Sequence, residues 1–412
     1  MTASTATERV VVVGAGQAGG EVVAALRQGG FHGTITLVGD EPIYPYSRPP
    51  LSKAYLKGDT TAEDLLLRHV DVYERNEIDV RVSTRVVRID TTNGRVALSD
   101  GEELAYDHLV LATGGRPRTL PPLERAGNVH YMRTKADADH LHDRLQPGAR
   151  AVVIGGGYIG LEFAAVARSK SVEITVIESA PRLLVRVSSV VISEFYRIQH
   201  SGHGVDILLN ASITTFRIND FGDVEAVELA DGRVIEVDFV LVGIGLLPNT
   251  ELAESAALAV DDGIVVDAQL RTSTANIYAI GDVSRHPVAG SRELRRLESV
   301  PNASAQARVV ANAILGDSRE YDTLPWFWSD QYDLKLQVAG VPRSGDEVVV
   351  RGNPARDHKF TVLHLRDCVV TCAEVVNDPA GFAAAKRLIA EGKPVDPTIV
   401  QDLERPLKDA VI

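Results

Sequence analysis

Two stretches of this chain carry the same pattern of apolar and polar positions. Each opens with a short apolar, mostly β-branched run, Val10 to Val13 in the first and Ala151 to Ile154 in the second. Runs of this kind suit strands buried on both faces of a parallel sheet. Small and helix-favouring residues follow, Ala24 to Arg27 and Leu161 to Arg168, and then a second strand pattern, Thr34 to Val38 and Glu173 to Ile177. The repeat of strand, helix and strand from Arg9 to Asp40 and from Arg150 to Glu178 predicts two α/β units. Further on, Lys335–Val338, Glu347–Val350 and Phe360–Leu365 read as strands and 380–390 as a helix, an α+β mixture. No apolar run approaches the roughly 18 residues needed to cross a bilayer, so these runs are expected to be core strands.

Between strand and helix each unit carries a glycine fingerprint. The first is Gly14-Ala15-Gly16-Gln17-Ala18-Gly19 and the second Gly155-Gly156-Gly157-Tyr158-Ile159-Gly160. In such a Rossmann-like turn the first glycine permits the tight bend, the second lets backbone approach a pyrophosphate, and the third allows close packing of the helix. The helix amino terminus supplies free N–H groups for the phosphates. An acid about 20 residues on accepts from ribose hydroxyls; Asp40 lies 21 residues after Gly19 and Glu178 lies 18 after Gly160. Two complete units imply two dinucleotides, as hydride exchange between a flavin and a nicotinamide requires. The glycines do not say which unit holds which.

Further phrases point to a family. They are Tyr46-Ser47-Arg48-Pro49-Pro50-Leu51-Ser52-Lys53, Leu111-Ala112-Thr113-Gly114, the second fingerprint with Glu162, Ile280-Gly281-Asp282-Val283, Leu297-Glu298-Ser299-Val300 and Pro325-Trp326-Phe327-Trp328-Ser329-Asp330-Gln331. In this order the chain resembles, over nearly its whole length, the ferredoxin reductases of bacterial oxygenase systems, within the glutathione-reductase-like flavoproteins. The resemblance implies an FAD-binding domain at 1–115 and 250–321, an NAD-binding domain at 116–249 and an interface-like carboxy-terminal domain at 322–412. It implies that Gly14, Ala15, Gly16, Gly19, Asp40, Arg48, Lys53, Val86, Ala112, Arg133, Asp282, Val300 and Trp328 serve FAD. It assigns Gly155, Gly157, Tyr158, Ile159, Gly160, Glu178 and Gly245 to the nicotinamide dinucleotide. Aligning the second strands sets Gly39 opposite Glu178, so Asp40 reaches from one residue later and Glu41 competes with it. Lys53 and Glu162 are the catalytic candidates, a pair able to steady hydride geometry and balance charge beside a flavin; the alternative is a surface salt bridge of little worth. A carboxylate at Glu178 repels the extra phosphate of NADPH and so predicts NADH, although Arg182 and Arg186 stand close enough in sequence to soften that choice.

Composition narrows the electron acceptor. The only cysteines are Cys368 and Cys372, and neither lies near the first fingerprint, where related disulfide reductases and peroxidases carry reactive thiols. Both are expected to be buried structural thiols; residues four apart along one strand lie about 13 Å apart, too far for one metal ion even with His364 nearby. Electrons are then expected to leave the flavin directly, singly, for a 2Fe-2S ferredoxin. The formal net charge of -13 disfavours nucleic acid or an anionic membrane as partner. Within this acidic chain Arg285, Arg292, Arg295 and Arg296 form a basic spot that fits an acidic ferredoxin, or else a solvated loop. The start, Met1 to Arg9, lacks an apolar core of signal-peptide length, and with the scarcity of cysteine this predicts a cytoplasmic protein. Two other functions fit the fingerprints: an NADH oxidase or peroxidase, and a flavin-bound NADH sensor resembling apoptosis-inducing factor.

Overall fold

The computed structural model describes residues 8–123, 125–289 and 293–412, so most of the amino-terminal stretch and Arg292 lie outside the described residues. The chain divides into two compact units, one of Met1–Arg48, Ala62–Arg116 and Leu247–Pro325, the other of Pro49–Thr61, Pro117–Leu246 and Trp326–Ile412.

The first unit is built on a five-stranded parallel sheet in the order Ile277–Ala279, His108–Leu111, Arg9–Val13, Thr34–Val38, Ile78–Arg81. Val10, Val12, Ile35, Leu37, Leu109, Val110 and Leu111 are buried, as expected of strands covered on both faces. Helix Gln17–Gln28 begins directly at the fingerprint and packs against helix Val300–Ile314. Gly14 has φ +109°, and a side chain there would meet the Ala112 carbonyl oxygen at 2.2 Å. The bend therefore admits only glycine.

The second unit repeats the plan with the parallel order Asp206–Leu208, Glu173–Ile177, Arg150–Ile154, Phe239–Val242, Val129–His130. Helix Tyr158–Ser169 follows its fingerprint, and Gly155 has φ +106° with the Gly243 carbonyl oxygen 2.5 Å from where a Cβ would stand. The same unit holds a five-stranded antiparallel sheet in the order Trp326–Gln331, Leu334–Gly340, Val369–Val376, Phe360–Arg366, Glu347–Arg351, with helix Pro379–Glu391 against it. Cys372 is buried in its strand, but Cys368 is exposed in the preceding turn at φ 63°, so only one of the two thiols is buried. His364 bonds Glu374 at 2.9 Å. Among the described residues no helix is long and apolar enough to cross a membrane.

Candidate functional site

In the second unit two prolines open a 3-10 turn, Pro49–Ser52, which delivers Lys53 just ahead of the short helix Ala54–Lys57. The Lys53 ammonium donates to Glu162 Oε2 at 2.6 Å and to the Pro49 carbonyl at 3.2 Å. Glu162 is the fifth residue of helix Tyr158–Ser169, one position beyond its first turn. Its side chain is 3% exposed and that of Lys53 18%, which removes the surface salt bridge. Three donors converge on the carboxylate: Ser52 Oγ at 2.5 Å and Lys53 on Oε2, Ser329 Oγ at 2.6 Å on Oε1. An acceptor-only group is thus met by donors alone, the condition under which a buried charge persists.

The second fingerprint is shaped for a phosphate. A Cβ on Gly160 would meet the Gly155 carbonyl oxygen at 2.7 Å and Val153 Cγ1 at 2.9 Å, so this glycine serves the protein's own packing. Gly157 is different: φ is -83° and a Cβ would meet nothing nearer than 3.9 Å. Neither backbone nor packing demands glycine there, which leaves close approach of another molecule to the helix amino terminus. Tyr158 and Ile159 form the first helical positions, with Ile159 44% exposed. Glu178 directly follows strand Glu173–Ile177, with Oε2 accepting from Gly156 N at 2.7 Å and Oε1 from Ala180 N at 2.8 Å. Arg182 is committed elsewhere, to the Ser188 and Val185 carbonyls and to Ser193 Oγ, and the Arg186 guanidinium lies beside Gly245. Neither arginine bonds the Glu178 carboxylate.

The first unit shows the same division of labour. Gly19 would clash with the Gly14 carbonyl oxygen at 1.9 Å, while a Cβ on Gly16 would meet nothing within 4 Å. The shift of its acid by one residue has a steric cause: a Cβ on Gly39 would stand 2.4 Å from Ala15 Cβ. Where the second unit has Gly156 and room for Glu178, the first has Ala15 and must keep Gly39 bare. Asp40 is therefore at the surface, paired with Arg85 at 3.0 Å, whereas Glu41 accepts from Tyr46 Oη at 2.7 Å and Arg48 Nη2 at 2.5 Å. Val86 is buried at the start of strand Val86–Asp90 and Ala112 follows strand His108–Leu111. Asp282 lies in the 3-10 turn Gly281–Val283, and Val300 is the first residue of its helix, whose leading N–H groups lack helical acceptors. Arg133 and Trp328 fall in the second unit, Arg133 just before the Thr134 cap of helix Lys135–Arg144 and Trp328 on strand Trp326–Gln331.

The basic spot is not free charge. Arg285 pairs with Asp261, Arg295 with Glu293 at 2.9 Å, and Arg296 with Glu298 at 2.5 Å.

The model of the pyridine nucleotide-disulphide oxidoreductase family matches residues 8–307, and a reductase carboxy-terminal model matches 326–411. The chain belongs to the pyridine nucleotide-disulphide oxidoreductase family. It is similar to rhodocoxin reductase of Rhodococcus erythropolis, 44% identical over 98% of this chain and 94% of the relative. It is 42% identical to putidaredoxin reductase of Pseudomonas putida, over 98% of this chain and 97% of that one. The solved covalent complex of putidaredoxin reductase with putidaredoxin superposes at a TM-score of 0.95 with 42% identity, covering 98% of each chain. Enzymes of this pyridine nucleotide-disulphide oxidoreductase type are FAD-dependent and use NAD(P)H. Both fingerprints fit such groups, because Gly16 and Gly157 leave open the one face through which a pyrophosphate reaches backbone N–H groups.

Sequence reasoning missed Ser52, Ser329, Gln331 and His200. Ser329 and Gln331 alternate along a strand and are 0% and 1% exposed. A period of two within the quoted Trp-rich phrase is the signal that marks them as one inward face. His200 lies on the buried face of helix Val190–Gly202 with Ile192, Phe195 and Tyr196, the spacing of a core histidine.

Proposed function

We propose that this chain takes hydride from NADH onto FAD and passes electrons singly to a 2Fe-2S ferredoxin. That ferredoxin would supply an oxygenase, either a haem-thiolate monooxygenase or a ring-hydroxylating dioxygenase. The observation that carries the reading is a pair of open glycine cradles in a chain whose only cysteines stand at 368 and 372, so no thiol relay follows the first fingerprint. FAD, when bound, supplies the exchange between a two-electron hydride and single electrons. The chain's own part is to hold and orient. Gly14, Ala15, Gly16, Gly19, Asp40, Arg48, Lys53, Val86, Ala112, Arg133, Asp282, Val300 and Trp328 are assigned to FAD; Gly155, Gly157, Tyr158, Ile159, Gly160, Glu178 and Gly245 are assigned to NADH. Lys53 holds a positive charge where Glu162 fixes it, three residues into the helix after Ile159. The division into 1–115 with 250–321, 116–249 and 322–412 belongs to the same proposal, as does a cytoplasmic location.

Docking of ferredoxin at Arg285, Arg292, Arg295 and Arg296 is the finer part. Asp261, Asp262, Glu293 and Glu298 pair with the three described arginines, Arg285, Arg295 and Arg296, so steering by these three is weak and direct contact would carry the interaction. Arg295→Ala is expected to raise the KM for ferredoxin by about threefold, with a small change in its salt dependence.

The deciding assay is NADH-driven reduction of cytochrome c with and without added 2Fe-2S ferredoxin. A ferredoxin-dependent rate supports the proposal. No increase with several acidic ferredoxins refutes it, and rapid NADH consumption with oxygen alone replaces it with an oxidase.

A further inference from the structure

A row of buried polar side chains leads away from Glu162, and the proton on each member follows from the one before. Glu162 Oε1 can only accept, so Ser329 must donate its single proton across their 2.6 Å contact. Ser329 Oγ must then accept from Gln331, which sets the amide nitrogen of Gln331 toward it at 3.1 Å. The amide oxygen of Gln331 faces His200 Nε2 at 2.8 Å, so that ring nitrogen carries the hydrogen. His200 Nδ1 is left as a lone pair and accepts from Tyr332 Oη at 3.0 Å. Every bond points the same way, from half-buried Tyr332, stacked on exposed His203 at 3.8 Å, inward to the carboxylate. Burial lowers His200 to about 4, in keeping with the neutral ring that this order demands.

We infer that Ser329, Gln331 and His200 are positioning residues that hold Glu162 Oε1 and thereby keep Oε2 on Lys53. The inference rests on the reading of Lys53 and Glu162 as the working pair. The terminal torsion of a glutamate is soft and two-fold, so a carboxylate held on one oxygen alone turns. Ser52 and Lys53 share Oε2, and Ser329 donates to Oε1. Without it a buried acceptor is left unsatisfied, and Lys53 is drawn toward the second oxygen. Polarised bonds in series strengthen one another in a low-dielectric interior, so the remote histidine acts on the carboxylate through them.

Three measurements on the FAD-loaded protein test this. Nitrogen-15 spectra of histidine-labelled protein should show His200 neutral with hydrogen on Nε2 at pH 6; the opposite tautomer, or a protonated ring, overturns the chain. In stopped flow, Ser329→Ala should slow flavin reduction by NADH about tenfold, while Ser329→Thr, which keeps the hydroxyl, stays near the parent rate. Thr adds a methyl to a fully buried site and Ala strands an acceptor, so both variants should lose thermal stability while only Ala slows the reaction. Rates that follow stability instead reduce the chain to packing and overturn the inference. Slow reduction by Glu162→Gln together with a normal Ser329→Ala overturns this inference alone. A Glu162→Gln variant at the parent rate overturns the functional reading and the inference with it.

Discussion

Replacing Glu178 by alanine tests the nucleotide assignment most sharply. Its two oxygens are anchored by the Gly156 and Ala180 amides, which leaves the remaining lone pairs to accept from a ribose diol. A hydrogen bond to a charged group contributes about 1.5–3 kcal/mol, and the lower end suits this half-buried position, so kcat/KM for NADH should fall about tenfold. NADPH places a phosphate of about -1.5 to -2 charge on the same oxygen. At roughly 5 Å and an effective dielectric of about 40, its repulsion by the carboxylate is about 2–3 kcal/mol. Screening halves this, and its removal should raise kcat/KM for NADPH about tenfold. The preference for NADH should therefore contract on the order of 100-fold, measured with both dinucleotides and an artificial one-electron acceptor. Arg182 offers no compensation, since its guanidinium is consumed by Ser188, Ser193 and Val185. Glu178→Gln is the control: it loses the charge but keeps an acceptor for one amide, and should fall between the two. A preference ratio that moves less than about threefold in the alanine variant would show that the carboxylate does not face the 2′ position.

Three further outcomes follow from the structure. Gly157→Ala should leave the melting temperature almost unchanged, because its Cβ meets nothing nearer than 3.9 Å, yet weaken NADH binding at least about tenfold in titration calorimetry. Gly160→Ala should do the reverse in stability, losing about 1–3 kcal/mol or more from the clash with the Gly155 carbonyl. His200 is fully buried and shifted to about 4, so the unfolded chain takes up its proton near pH 6.5 while the folded one does not. Its contribution is complete above pH 6.5 and is lost as pH falls toward 4, by about 3 kcal/mol at most. His200→Gln should flatten the denaturant-midpoint profile over that window by this amount; an unchanged slope refutes the buried neutral ring.

The repeated strand, helix and strand was legible because local pattern and tertiary role coincide there. Thr34–Val38 and Glu173–Ile177 appear with the bounds the apolar pattern predicts. Three of the five carboxy-terminal strands were found within two residues, but Val369–Val376 was not set apart as a strand of its own, and Trp326–Gln331 was missed because its aromatic residues carried the family phrase and drew no period-two reading. The offset of Asp40 from Glu178 was visible in the sequence, but its cause was not. That cause is a contact between Ala15 and Gly39, 24 positions apart, which no single-position pattern encodes. The support of Glu162 was hidden for the same reason, since Ser52, Ser329 and His200 come from three separate segments. Arginine spacing suggested a charged patch, whereas the neutralising acids Asp261 and Asp262 are supplied by a distant turn.

The pairing of Ala15 with Gly39, against Gly156 with Glu178, also constrains how such folds diverge after duplication. Gly39→Glu in the first fold meets Ala15 Cβ at 2.4 Å, so it is forbidden while alanine remains. Ala15→Gly is permitted first, and only then does position 39 open. In the second fold Gly156→Ala drives a methyl to 2.7 Å from Leu183 Cδ2 and 3.1 Å from the Glu178 carboxylate, so Leu183 must shift and the acid must give by a few tenths of an ångström. The route from the first form to the second is passable in one order alone. Once two copies settle on opposite sides of this two-step barrier, single substitutions do not return one nucleotide site to the form of the other, and the descendants of a duplicated fold stay specialised.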